Sequence, residues 1–329
     1  MQLARLPRVR LAALPTPLEE MPRLRSALGG GPRLFIKRDD NTGLALGGNK
    51  ARKLEFLFAD ALAQGADTVI TTGGPQSNHA RMTAAAAAKL GLASVLVLTG
   101  ERPAEMNGNL LIDALVGADI RFTGSDDDAV AARAMEQVAA ELRAAGKRPY
   151  VVPLGGSNQL GTLGYVAGVR ELIAQAEEAG IAFDRIYVTS GSAGTHGGVI
   201  LGNRLYSYGA RVTGISVSRP RALAEDLVRR VAQACIDKYE LPVTLSESDV
   251  EVDDRFVGPG YAKITDGGKE AISLLARNEG IIADPVYTGK ALAGMIDHIR
   301  SGRIGRDETV LFWHTGGAPA LFVYSEDFR

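Results

Sequence analysis

The sequence predicts an α/β protein: two domains of three-layer αβα type, built on mostly parallel sheets. Three observations carry this. The chain has 329 residues, about two domains at roughly 150 residues each. Strand-like apolar runs alternate with helical patterns along most of it, which is the pattern of parallel strands covered on both faces by helices. Glycine-containing loops follow several strands, where ligands bind in such sheets.

The elements follow in order. A short apolar run over 33–36 predicts a strand. Over 50–64, Leu54, Leu57, Phe58, Ala61 and Leu62 recur at helical spacing, with Gly65 as a stop. A strand over 68–72 precedes a helix over 78–90 that closes at Gly91, and the run ASVLVL (93–98) reads as a buried strand. A helix over 110–116 and a brief strand over 120–122 follow. Ser125 is expected to cap a long helix through Ala145, with three Asp residues in its first turn. A strand over 150–153 leads to the glycine-rich joint GGSNQLGTLG (155–164). Beyond it the pattern predicts a helix over 165–179, a strand over 185–189, a further helix, a strand over 211–217 and a long helix through Tyr239. Residues 241–260 have no regular pattern. Helices over 265–279 and 288–301 lead to a last strand over 309–313.

Composition excludes several classes. Hydrophobic residues at 46% and charged residues at 23% are ordinary for a globular protein. A net charge of −1 gives no basic excess for nucleic acid. The single cysteine, Cys235, excludes an intramolecular disulfide framework and a cysteine-rich zinc site. No run approaches the ~20 apolar residues of a membrane helix, and the N-terminal segment lacks the long apolar stretch of a secretory signal. A cytoplasmic protein without a membrane or nucleic-acid partner is the expectation.

The 39 glycines are the compositional oddity. Those that do not simply end helices concentrate in TGGPQSNH (72–79), SGSAGTHGG (190–198) and HTGGAP (314–319), each just after a strand, and in GGNK (47–50) before a helix. Glycine lets backbone N–H groups approach a ligand, and a helix N-terminus adds unpaired donors. The second loop has the composition of a phosphate cradle, or of a tight turn that binds nothing.

Standard motifs fail. In the span from Gly43 to Lys50, Asn49 separates the last glycine from the lysine and Ala51 replaces the P-loop hydroxyl. Gly191, Gly194 and Gly197 are spaced G-x-x-G-x-x-G, which is not the dinucleotide fingerprint. H-E-x-x-H and G-x-S-x-G are absent, and His79, His196, His298 and His314 lack metal-ligand spacing, so no metal is expected. What is left is a phosphate cradle plus Lys50 at a helix start. A lysine there has a lowered pKa that favours a Schiff base, although a solvated surface lysine is the commoner fate. Together the two features point to pyridoxal phosphate (PLP).

LPTPLEEMPRL, IKRDD, GGNKARKLEFL, QSNHARMTAA, GSAGTH, DPVYTGKALAG and HTGGAPALF occur in order across nearly the whole chain. On these motifs the sequence resembles the D-cysteine desulfhydrase / 1-aminocyclopropane-1-carboxylate (ACC) deaminase family of PLP enzymes. The resemblance implies the tryptophan-synthase-β-like fold (fold type II). It assigns 1–46 plus 162–329 to a large PLP-binding domain and 47–161 to a smaller inserted one, and it suggests a homodimer.

The resemblance also implies roles. Lys50 falls on the lysine of the internal aldimine. Lys53 supports the phosphate beside the backbone donors of Ser192, Ala193, Gly194 and Thr195. Asn78 bonds the cofactor's 3′ oxygen, and Ser77, Asn78 and His79 form the turn for the substrate carboxylate. Tyr261 and Tyr287 face the substrate, for proton transfer or leaving-group contact. The bland alternatives are a packing role for the tyrosines and a capping role for Ser77. ACC deaminases are expected to carry Glu and Leu where this chain has Thr288 and Thr315 at the pyridine ring. The neutral hydroxyls imply the desulfhydrase branch, because a weaker electron sink suffices when a good leaving group departs from Cβ.

The implied reaction is α,β-elimination on a small β-substituted amino acid, converting D-cysteine and water to pyruvate, hydrogen sulfide and ammonia. The stretch TGERPAEMNGN (99–109) is shorter than the corresponding region expected of bacterial desulfhydrases, and ACC or L-cysteate are alternative substrates. The reading outside enzymes is a catalytically silent protein that binds an amino acid or PLP.

Overall fold

The computed structural model describes residues 6–328. The start of the N-terminal segment read above for targeting signals, and of the 1–46 domain span, lies outside the described residues.

The chain runs β1 (Leu18–Glu20), α1 (Pro22–Ala27), β2 (Arg33–Arg38), α2 (Lys50–Ala63), β3 (Thr68–Gly73), α3 (Asn78–Lys89), β4 (Ala93–Leu98), α4 (Gly108–Leu115), β5 (Asp119–Phe122) and α5 (Asp128–Ala144). It continues through β6 (Pro149–Val151), α6 (Gln159–Glu178), β7 (Arg185–Ser190), α7 (Gly194–Leu205), β8 (Arg211–Ser216), α8 (Arg221–Tyr239), β9 (Glu251–Asp253), α9 (Asp266–Glu279), α10 (Thr288–Arg300), β10 (Thr309–His314) and α11 (Ala318–Leu321).

Two sheets form. A six-stranded sheet has the order β1-β2-β10-β7-β8-β9, parallel except for the β1–β2 pair. A four-stranded parallel sheet has the order β5-β4-β3-β6. The α/β class and parallel pairing are as the alternation predicts. Leu34, Ile36, Tyr187, Val310 and Phe312 enter one buried cluster, whereas Phe35, Ile186, Val188, Leu311 and Trp313 enter another. Neighbouring residues of a strand point to opposite faces, so the large sheet is buried on both sides. In the smaller sheet Val95 and Val97 pack with Met135 and Val138 of α5, while Leu96 and Leu98 pack with Ala80 and Ala84 of α3.

Some local expectations need correction. The helix expected to be capped by Ser125 starts at Asp128: Asp127 Oδ1 accepts the Ala129 N–H at 2.8 Å, and Ser125 Oγ is used in the preceding turn on Asp127 N. The helix expected from 165 begins at Gln159 on an Asn158 cap, because Gly161 and Gly164 are helical. β1, α1 and β9 are additional elements, too short to carry a period.

The glycines have a use beyond loops and stops. A Cβ at Gly164 would lie 2.4 Å from Arg52 O, at Gly198 2.5 Å from Thr162 O, and at Gly202 2.6 Å from Val169 Cβ. These residues inside α6 and α7 let α2, α6 and α7 cross in close backbone contact, which outweighs the ~1 kcal/mol propensity cost of a helical glycine.

A buried polar network locks this crossing. Fully buried Asp39 accepts hydrogen bonds from Arg52 Nε (2.9 Å) and Nη2 (2.8 Å), Tyr165 OH (2.5 Å), Trp313 Nε1 (2.8 Å) and Thr16 Oγ1 (2.9 Å). Arg52 also donates to both oxygens of Glu171, at 2.9 and 2.8 Å, and Lys37 Nζ donates to Glu171 at 2.6 Å. Burial alone would raise the Asp39 pKa, but the Arg52 charge and its hydrogen bonds hold it below the usual carboxylate value. Removing one member of a buried pair strands the other. Arg52→Met is therefore expected to lose about 3–5 kcal/mol in urea unfolding. Arg33→Met, which breaks the exposed pair with Glu20 and takes the guanidinium off the Phe35 ring, is expected to cost no more than about 2 kcal/mol.

Candidate active site

The four glycine loops meet at the carboxyl ends of β3, β7 and β10. Lys50 opens α2 after a turn whose glycines are required by position. Gly47 has φ +72° and a Cβ there would overlap Asp40 O at 1.7 Å, while Gly48 has φ +135°. Gly48 N donates to Asp39 O and to Thr42 Oγ1, and Asn49 N donates to Thr315 O at 3.0 Å. The turn is thus fixed against the loops of the six-stranded sheet. Burial lowers the Lys50 pKa to about 8.

Lys53 is fully buried one turn on. Its Nζ donates to Gly155 O (3.1 Å) and Ser157 Oγ (3.0 Å). Burial first, then the charge of Lys50, pushes its pKa well below the ordinary value. Among the described residues neither amine forms an ion pair. One fully buried and one partly buried amine, neither with a carboxylate partner, mark a place for an anion.

The remaining donors are next to them. α7 starts at Gly194 after Ala193, whose φ is +69°, with no side-chain cap. Ser157 Oγ donates to Ser192 Oγ at 2.9 Å and accepts the Gly194 N–H at 3.2 Å. A Cβ on Gly194 would sit 2.7 Å from Ser157 Oγ and 2.9 Å from Lys53 Nζ. Thr195 Oγ1 accepts from Asn49 Nδ2 at 2.9 Å, which ties the α7 start to Lys50's neighbour. An open helix N-terminus, two serine hydroxyls and a buried amine suit a phosphate monoester. The residues present therefore fit the phosphate of PLP.

Ser77 Oγ caps α3 by accepting the Ala80 N–H at 3.1 Å. The bland capping role and the anion turn coexist, because a cap leaves other first-turn N–H groups free. Gly73 is required, since its Cβ would fall 2.4 Å from Ser77 Oγ. His79 lies in the turn expected to hold the substrate carboxylate, with its ring turned to Thr71. The ring is buried with Nε2 at 2.8 Å from Thr71 Oγ1, and burial, then Lys50 and Lys53, hold its pKa well below the ordinary value. It is a neutral packing group, so only its backbone N–H can serve the turn.

Tyr261 and Tyr287 come together although 26 residues apart, hydroxyl to hydroxyl, with ring centroids 5.9 Å apart at 68°. Tyr261 lies beside Gly74 and Tyr287 beside Gly191. Burial raises both phenol pKa values, that of Tyr287 well above 10.0. The hydroxyl of Thr288, expected at the pyridine ring, is engaged by Asp284. Its Oγ1 donates to Asp284 Oδ1 (2.6 Å) and accepts from Asp284 N (2.8 Å). Asp284 also accepts the N–H groups of Val286, Tyr287 and Thr288 at 2.9 Å each, and so shapes the loop that presents Tyr287.

Sequence reasoning missed Ser157, Asn49 and Asp284. Ser157 stood within the noted glycine-rich joint, and the two preceding glycines, Gly155 and Gly156, have positive φ; that doublet was the available signal. Asp284 opens the quoted motif DPVYTGKALAG, but its role is set by hydrogen bonds that the motif does not show.

The family model described as "Pyridoxal-phosphate dependent enzyme" matches residues 9–316. The chain is 47% identical over 329 residues to a D-cysteine desulfhydrase of Klebsiella pneumoniae, covering 98% of this chain and 97% of that protein. It is 46% identical to a D-cysteine desulfhydrase of Salmonella typhi, with the same coverage. A solved structure described as an ACC deaminase homologue superposes with a TM-score of 0.92 at 40% identity, over 99% of this chain and 96% of the other.

Two outcomes are expected at the site. The rate at which PLP joins the ligand-free protein, followed by absorbance, should rise with pH through about 8 and then level, because the neutral amine of Lys50 is the reactive form. A rate that kept rising to the ordinary lysine range near ~10.4 would refute the depressed pKa. Lys53→Ala removes a charge-assisted hydrogen bond and should weaken PLP binding about ten- to hundredfold in equilibrium titration.

Proposed function

The chain belongs to the pyridoxal-phosphate dependent enzymes, and from that membership we propose that it is a carbon–sulfur lyase converting D-cysteine and water to pyruvate, hydrogen sulfide and ammonia. The observation that carries the substrate is the full-length similarity to D-cysteine desulfhydrases, and the hydroxyl residues Thr288 and Thr315 agree with that reading.

When bound, PLP supplies the electron sink that makes the Cα proton acidic and lets the Cβ–S bond break. Lys53, Ser157, Ser192 and the first N–H groups of α7 (Gly194, Thr195) hold the phosphate, with Ala193 shaping the turn. Asn78 meets the 3′ oxygen. With Thr288 bound to Asp284, Thr315 is the hydroxyl left for the ring nitrogen, and neither position carries a carboxylate. The α3 N-terminus, at Ser77, Asn78 and the His79 backbone, binds the substrate carboxylate.

Lys50 Nζ is read as the base for the Cα proton, since its depressed pKa leaves a useful fraction of neutral amine near neutral pH. The two tyrosines have raised pKa values and stay protonated there, so they act as donors. We assign them delivery of a proton to the departing sulfur, with Tyr261 and Tyr287 sharing it across their hydroxyl contact. Water then enters at the carbon that bore nitrogen, and no oxidant or reductant is needed.

The two sheets support a division near 47 and 161, with the site between the halves. No helix among the described residues is long and apolar enough to cross a membrane; the cytoplasmic location is the reading from sequence, and the homodimer is what the family resemblance implies.

The purified protein should release sulfide and pyruvate fastest from D-cysteine when D-cysteine, L-cysteine, ACC and L-cysteate are assayed side by side. Faster turnover of ACC would overturn the reading of Thr288 and Thr315, and no turnover of any would favour a silent binder. Borohydride should fix the cofactor to the parent protein and not to Lys50→Ala.

A further inference from the structure

The turn carrying Ser77 and Asn78 is docked on α4, a helix outside the functional assignments so far. Four hydrogen bonds make the joint. Gln76 Nε2 donates to Asn107 O (3.0 Å), and Asn109 N donates to Gln76 Oε1 (2.8 Å). Asn109 Nδ2 donates both to Gln76 O (2.9 Å) and to Asn78 Oδ1 (3.0 Å). Gly108 permits the approach, because at φ +59° its Cβ would meet Gln76 Oε1 at 2.4 Å. Asn109 is fully buried and Asn78 nearly so.

The polarity of this chain is set at one end. Gln76 O is a backbone carbonyl and can only accept, so the Asn109 atom facing it is the nitrogen. The second hydrogen of that nitrogen goes to Asn78, so the Asn78 atom facing Asn109 is the oxygen. The Asn78 N–H2 group therefore points away from Asn109. An anionic phenolic oxygen needs a donor, and the reversed amide would present it with a second lone-pair-bearing oxygen.

We propose that Asn109 is a positioning residue that fixes the Asn78 side chain as a hydrogen-bond donor toward the cofactor's 3′ oxygen. The inference rests on the reading of Asn78 at that oxygen. Asn109 itself touches neither cofactor nor substrate, and it lies 31 residues from Asn78 on the far side of β4 in the chain.

The test is a double-mutant cycle read by PLP affinity, from the absorbance of the bound cofactor, and by urea unfolding of the ligand-free protein. Asn109→Leu keeps bulk and the backbone bond to Gln76 but removes both side-chain donors, and Asn109→Ser is a smaller variant for the same comparison should Asn109→Leu not fold. In the parent, either substitution is expected to weaken PLP binding about tenfold, the order of one charge-assisted hydrogen bond. In an Asn78→Ala background the same substitution should change affinity by less than about threefold. A merely structural Asn109 would shift the urea midpoint and weaken PLP binding equally in both backgrounds, and that equality would overturn the proposal. So would unchanged PLP binding by a folded Asn109 variant. If Asn78→Ala alone left affinity unaltered, the cofactor reading of Asn78 would fall and this inference with it. A weakened Asn78→Ala beside an unaffected Asn109 variant sinks the inference alone.

Discussion

The buried contact between Arg52 and Asp39 is the constraint on which the site depends. Arg52 lies on α2 between Lys50 and Lys53. Its guanidinium is held by Asp39 after β2 and by Glu171 on α6, and Asp39 is held in turn by Tyr165 and Trp313. On a helix, residues 50 and 53 share a face and residue 52 points elsewhere. Anchoring Arg52 therefore sets the rotation of α2 and aims both amines toward the phosphate cradle. Glu55, one turn further, accepts N–H groups of Leu11 and Ala12 at 3.0 Å each and binds the N-terminal segment to the same helix.

That anchor solves an electrostatic problem as well. The Lys53 amine is buried and that of Lys50 partly so, both without carboxylate partners, and they would repel one another if both were charged. A site awaiting a phosphate needs such unbalanced positive character, but it disfavours the folded state until the anion arrives. The network around Asp39 is compensated within itself. It secures the backbone on which the uncompensated amines stand, so strain at the site is borne by a rigid support. The close crossing of α6 on α2 at Gly164 acts in the same direction by allowing no room for α2 to shift.

Much of this was legible in the chain. Five apolar residues at helical spacing after GGNK sufficed to identify α2, and a glycine loop after each of three strands marked where a ligand would bind. Local pattern singled out Lys50 at a helix start and the loop at 190–198, whereas the roles of Lys53, Ser77, Asn78, Gly194 and Thr195, in those loops or one turn from them, came from the family resemblance. The less legible parts depend on partners distant in sequence. His79 sits in the same turn as Ser77, yet its ring goes to Thr71, because one residue of helix rotation swings it about 100° inward. Thr288 spends its hydroxyl on Asp284. The glycines of α6 and α7 read as loop glycines until helix crossings show why a Cβ has no space there.

The sequence by itself determined the alternation of strands and helices, the places where backbone donors cluster, and the residue types able to form a Schiff base and bind phosphate. These follow from periodicity, glycine and side-chain chemistry, which are local properties. Only the tertiary structure decided that Ser157 joins Ser192 and Gly194, that the two tyrosines touch, that Asn109 bonds Asn78, and which way α2 faces. Each of those depends on hydrogen-bond directions between segments brought together by folding, and neither the direction of a lone pair nor the partner it finds is written in the spacing of residues along the chain.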